Sequence, residues 1–197
     1  MSEQKIKQKP EIKIKKETKP KTANAMEAIK VDKVVLNIGV GKDPTKMEKA
    51  KQLLNYITQK QPVETITKKR IPTWSLRPGL PIGCKITLRG KDALGIIPKI
   101  LSASENLLGE SCFDKYGNIS FGIPRYIDMD GVDYNVDIGL MGMQATIVLK
   151  RAGFRVERRK HMQGHIPLHH KINKEQAIKF MKTQFNVKIK EEESEVE

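Results

Sequence analysis

The chain has 197 residues and a formal net charge of +14, which points to a polyanionic partner, nucleic acid ahead of an anionic membrane surface. Its two cysteines, Cys84 and Cys112, share no short spacing, so a disulfide scaffold is excluded and a reducing compartment fits. No apolar run reaches bilayer length, and the lysine-rich start lacks the apolar stretch of a secretory signal, so neither a membrane span nor secretion is expected.

Residues 1–28 are rich in lysine, carry Pro10 and Pro20, and have few large apolar groups. Such a segment cannot bury enough surface to offset its ordering entropy, so a disordered arm is expected. It is either a solvated tail or an arm that orders on RNA. The domain proper is expected over 29–189, followed by an acidic tail at 190–197.

Val34, Leu36, Ile38 and Val40 alternate with Val35, Asn37, Gly39 and Gly41, which predicts a strand with Asn37 away from the core. Gly39 and Gly41 are expected to let another backbone approach closely. The string GVGK lacks the second Gly and the Lys-Ser/Thr pair of a phosphate loop. Asp43-Pro44 predicts a helix start, with Met47, Ala50, Leu54 and Ile57 on its inner face and an end before Pro62. A basic, β-branched segment, Val63 to Arg70, then leads into Ile71–Gly79, a connection too long for a tight hairpin and stiffened by two prolines.

From Pro81 the alternation is strict. Ile82, Cys84, Ile86 and Leu88 share one face; Gly83, Lys85, Thr87 and Arg89 share the other, which carries no acid. Between Lys68 and Lys91 every charged residue is basic. A second helix is expected from about Lys91, with Ala93, Leu94, Ile97 and Leu101 inward and Pro98 ending or kinking it. Tyr116-Gly117-Asn118 reads as a turn into a strand. Gln144, Thr146 and Val148 alternate with Met143, Ala145, Ile147 and Leu149, which reads as a long last strand. Asn173 with Gln176 resembles a capping box opening a helix with Ala177, Ile178, Met181 and Phe185 inward.

This order predicts an α+β fold. An antiparallel-rich sheet has helices packed on one face, a basic open face on the other, and a projecting basic hairpin loop. No nucleophile motif is present, so catalysis is not expected and no cofactor is called for. His161, His165, His169 and His170 have spacings that could serve a metal. Gly164 and Pro167 break the helix this would need, and Arg158, Arg159 and Lys160 would repel a cation. A basic loop whose imidazoles touch bases or phosphates is the better reading, and a plain solvated loop the alternative. The open face, with Asn37, Lys85, Thr87 and Arg89, suits RNA: amide and hydroxyl groups can read a 2′-OH while the cations neutralise phosphates.

Three separated motifs, LNIGVG at 36–41, RPGLPIGCKITLRG at 77–90 and FDKYGNISFG at 113–122, resemble the 5S-rRNA-binding family of large-ribosomal-subunit protein five. The segment GLMGMQATIVLKRAGFRVERRK resembles its archaeal and eukaryotic branch. The resemblance covers about 28–189 and implies a structural, ribosomal role in the cytoplasm. It implies contacts with 5S rRNA and large-subunit rRNA, with P-site tRNA, and with neighbouring proteins of the central protuberance and the small-subunit head, and none with membrane. It places 5S rRNA contacts at Asn37 and Thr87, with Lys85 and Arg89 beside them. Lys60 stands where the family commonly has Gln, so a phosphate contact replaces a base contact there. The tRNA-facing loop is Thr73, Trp74, Ser75, Leu76, Arg77, Pro78 and Gly79. Arg151, Arg155, Arg158, Arg159 and Lys160 are further expected RNA contacts. The alternative reading is a general nucleic-acid chaperone without 5S preference.

Overall fold

A computed structural model describes residue 24 and residues 26–190. The expectations for most of the basic arm and for the acidic tail after Lys190 lie outside the described residues. Five strands form one sheet: β1 (Ile29–Gly39), β2 (Val63–Ile66), β3 (Pro81–Arg89), β5 (Ile119–Ile123) and β6 (Met143–Arg151). Their order is β2-β3-β1-β6-β5 and every neighbouring pair is antiparallel. Helices α1 (Pro44–Thr58) and α2 (Lys91–Ser102) follow β1 and β3, a short α3 (Arg155–Arg158) follows β6, and α4 (Lys174–Phe185) comes last. The fold is α+β, as the residue pattern predicts.

The period-two pattern decides which way the sheet faces. Val34, Leu36 and Ile38 of β1, Cys84, Ile86 and Leu88 of β3, and Ala145, Ile147 and Leu149 of β6 are all buried. They join one cluster with Met47, Ala50, Leu53, Leu54 and Ile57 of α1 and with Ala93, Ile97 and Ile100 of α2. Each large apolar side chain taken out of water there contributes roughly 1.5–3 kcal/mol. Helix α1 has Asp43 at its N-cap and Pro44 in its first turn, and stops where Gln59 turns left-handed and donates its N–H to the Asn55 carbonyl. The capping box of Asn173 and Gln176 opens α4.

Four expectations need correction. Helix α2 runs through Pro98 rather than ending there. Pro98 is exposed, and Ile96, Ile97, Ile100 and Leu101 on the opposite side bury the stripe on both flanks of it. Leu94 lies off that stripe and is exposed. Strand β6 is not last: Lys188–Lys190 forms β7, parallel to β4 (Leu107–Gly109), so Lys190 belongs to a strand and not to the tail. Three residues give too short a period to read. Finally, a Cβ at Gly39 or Gly41 would meet nothing within 4 Å. The close approach is at Gly83, where a Cβ would lie 2.5 Å from the Ile38 carbonyl oxygen.

Candidate nucleic-acid interface

The register lines up the outward residues in rows across the sheet. One row reads Val63, Lys85, Asn37, Gln144, Gly122. The next reads Thr87, Val35, Thr146, Ser120, with Ser120 Oγ and Thr146 Oγ1 3.1 Å apart. The third reads Arg89, Lys33, Val148. Rows two residues apart are about 7 Å from one another along a strand. Asn37, Lys85, Thr87 and Arg89, which lie on two separate sequence segments, therefore stand side by side.

The third row ends on a buried acid. Strand β1 shifts register between Val31 and Lys33 against β6. Alternation from Val34 would send Asp32 into the core; the extra residue of the bulge instead turns its carboxylate to the open side, a common use of bulges. There it pairs with Lys150 Nζ, with Arg158 at 3.5 Å and with Arg89 at 3.7 Å, while its own side chain is 2 % exposed. Burial pushes the Asp32 carboxyl upward, but the Lys150 hydrogen bond and charge, with Arg158 and Arg89, outweigh it and hold the group below its ordinary value. The one carboxylate turned into this face by β1 is thus matched by cations from β3, β6 and α3.

The long connection from β2 to β3 is an ordered projection. Thr67 donates its N–H to the Leu80 carbonyl and accepts from the Gly79 N–H, both at 2.9 Å. Further out, Ile71 and Leu76 exchange N–H bonds at 3.1 and 3.0 Å around a single 3₁₀ turn, Pro72–Trp74, closed by Ser75 at φ +54°. Trp74 is 67 % exposed at the tip, and Thr73, Ser75, Arg77, Pro78 and Gly79 are exposed with it. Leu76 is the exception: it is buried and its backbone is already paired, so it braces the tip rather than presenting a contact.

Residues 24–77 match the family model described as Ribosomal protein L5, and residues 81–180 match the model of that ribosomal family's C-terminus. Large ribosomal subunit protein uL5 of Sulfurisphaera tokodaii is 44% identical over 171 residues, 86% of this chain and 97% of the relative. The proteins of the same name from Sulfolobus acidocaldarius and Methanoregula boonei are 43% and 39% identical, over 87% and 84% of this chain and 96% and 100% of theirs. The chain belongs to the ribosomal protein L5 family. It is a structural protein of the large ribosomal subunit and not an enzyme. These relatives are archaeal, in line with the branch that the GLMGMQATIVLKRAGFRVERRK segment resembles.

Several cations expected to contact RNA have partners within this L5 chain. Lys60 pairs with Asp92 of α2. Arg151 turns inward, donating to Gln176 Oε1 at 2.8 Å and to the His169 and His170 carbonyls, and ties the end of β6 to the α4 cap. Arg159 donates to the Met162 carbonyl at 2.6 Å. Arg155 and Lys160 are exposed. Among the histidines, His170 is half-buried, with Nε2 2.8 Å from the Ala152 carbonyl and its ring 6.1 Å from that of Phe154, whereas His161, His165 and His169 are exposed.

Sequence reasoning missed Lys33, Ser120, Gln144 and Thr146 as part of the L5 sheet face, and Asp32 altogether. Alternation made Gln144 and Thr146 visible as one side of a strand. That β6 lies beside β1, with Gln144 opposite Asn37, depended on pairing that a single strand's pattern does not carry. For Asp32 the sequence signal was no more than an acid two residues ahead of the apolar alternation that begins at Val34.

Proposed function

We propose that this L5 chain binds 5S rRNA through the open face of its sheet, and contacts P-site tRNA through the 71–79 loop. It does so in the central protuberance, beside large-subunit rRNA, neighbouring proteins there and the small-subunit head. One observation carries the reading: three rows run across the sheet, each carrying polar or basic side chains beside a valine, with no uncompensated carboxylate among them. Amide and hydroxyl groups in the middle of the face, Asn37, Gln144, Thr87 and Thr146, suit 2′-OH and base edges, and the cations around them suit phosphates. The exposed, braced Trp74–Arg77 tip projects from the sheet edge and suits a second RNA partner, since neither residue lies in the rows.

Filter binding of the full chain to 5S rRNA across a salt series, with unrelated RNA of equal length, tests this. A preference for 5S rRNA that persists as salt rises is expected, each phosphate contact adding roughly 0.7–0.9 to the salt slope. Asn37→Ala or Thr87→Ala should weaken 5S binding about two- to tenfold, the worth of one hydrogen bond of about 0.5–1.5 kcal/mol. Joint replacement of Trp74 and Arg77 should leave 5S affinity unchanged and lower tRNA occupancy on reconstituted ribosomes. Equal binding to both RNAs that collapses in parallel with salt would identify a general nucleic-acid chaperone instead. Loss of 5S binding from the loop substitutions alone would overturn the division of labour between face and loop.

A further inference from the structure

We propose that Asp32 is a positioning residue for RNA: its buried carboxylate holds Lys150, Arg158 and Arg89 as one preset phosphate-binding cluster at the α3 end of the open face. The inference rests on the reading of that face as an rRNA surface. Three observations support it. The cations come from three separate elements, β6, α3 and β3, and converge on one carboxylate. Their side chains remain 38%, 56% and 56% exposed while that of Asp32 is 2% exposed, so the acid is covered and the cations are not. And among the described residues Asp32 Oδ2 has no hydrogen-bond partner, facing Arg158 as an ion pair at 3.5 Å.

A buried carboxylate is costly to desolvate, and on a phosphate-binding face its charge opposes the ligand. What it supplies in return is geometry. An arginine has five N–H donors in a fixed fork, so engagement with Asp32 leaves donors for a phosphate. Long cationic side chains lose much rotamer freedom on binding, and part of that loss is already taken in the free protein when they are tied to a fixed acid. The bulge at Asp32, which turns the carboxylate out of the core, is what makes the cluster possible.

The two explanations predict opposite signs. Asp32→Asn raises the net charge by one, so if Asp32 is only a structural counter-ion, RNA binding should stay equal or tighten. If it positions the cluster, 5S affinity of the full chain should fall about tenfold and its salt slope should become shallower, with binding to unrelated RNA unchanged or stronger. Asp32→Glu, which retains the charge, should recover most of the loss. Wild-type chain without a preference for 5S rRNA would sink the functional reading itself. Wild-type preference with Asp32→Asn binding as well or better would sink only this inference. Should Asp32→Asn alone lose its far-UV circular dichroism, the double variant Asp32→Asn with Lys150→Met takes its place, since it removes the buried charge together with its nearest partner. It should then bind 5S rRNA several-fold more weakly than Lys150→Met alone; equal or tighter binding overturns the proposal.

Discussion

At the scale of single residues, three positions set terms for their surroundings. Gly83 faces the Ile38 carbonyl so closely that any Cβ would lie 2.5 Å from it, and both partners are strand backbone that cannot step aside. Gly83→Ala should therefore cost about 1–3 kcal/mol, seen as a lower urea midpoint. Asp32 contributes to stability through ionisation. Its carboxyl is held below its ordinary value of 3.8, so its contribution is present above that pH and is lost as pH falls through the lower folded-state value. Asp32→Asn should accordingly be less stable than wild type at pH 7, with the gap narrowing in paired urea titrations as pH falls below 3.8. Burial pushes the Cys84 thiol up to about 11. A thiol reagent at pH 8 should modify the half-buried Cys112 first and reach Cys84 only on unfolding, as peptide mapping would show.

Elements differ in how openly they announce themselves. Strands β1, β3 and β6 and helix α1 were readable because each repeats one period for long enough to separate a buried from an exposed side. Helix α2 shows the limit. Pro98 reads as a breaker, yet the buried stripe on either side outweighs the loss of one backbone N–H. Because the ring is exposed, Pro98→Ala should restore a helix hydrogen bond and raise stability by up to about 2 kcal/mol. That figure sets the roughly 3 kcal/mol cost of an interior proline against the roughly 0.4–1 kcal/mol by which proline restrains the unfolded chain. A lower urea midpoint for this variant would mean that α2 has fully adapted to the ring. The β2–β3 connection is a different case: its prolines and its length suggest stiffness, whereas the burial of Leu76, beside the Ile71–Leu76 backbone pair, leaves no local signal.

For the whole molecule, the two family matches meet near residues 77–81, inside the β2–β3 connection. The sheet ignores that boundary: β1, from the first part, lies between β3 and β6, from the second. Neither part can bury its own strands alone. Residues 1–78 and 79–197 expressed separately should each lack native near-ultraviolet circular dichroism, whereas the full chain should unfold in one transition that coincides in the near and far ultraviolet. A folded fragment from either side would contradict this.

What the sequence determined by itself was the identity and sidedness of the long elements, and the family. Periodicity and charge are local properties, and three contiguous motifs carried the resemblance. Only the tertiary structure decided that Asn37, Lys85 and Gln144 share a row, that β4 pairs with β7, that Lys60 and Arg151 are already engaged, and that Asp32 gathers three cations. Each of these depends on strand register or on contacts between residues far apart in the chain. One residue of slip would exchange every inward side chain for its outward neighbour, and no local pattern records which strand lies next to which.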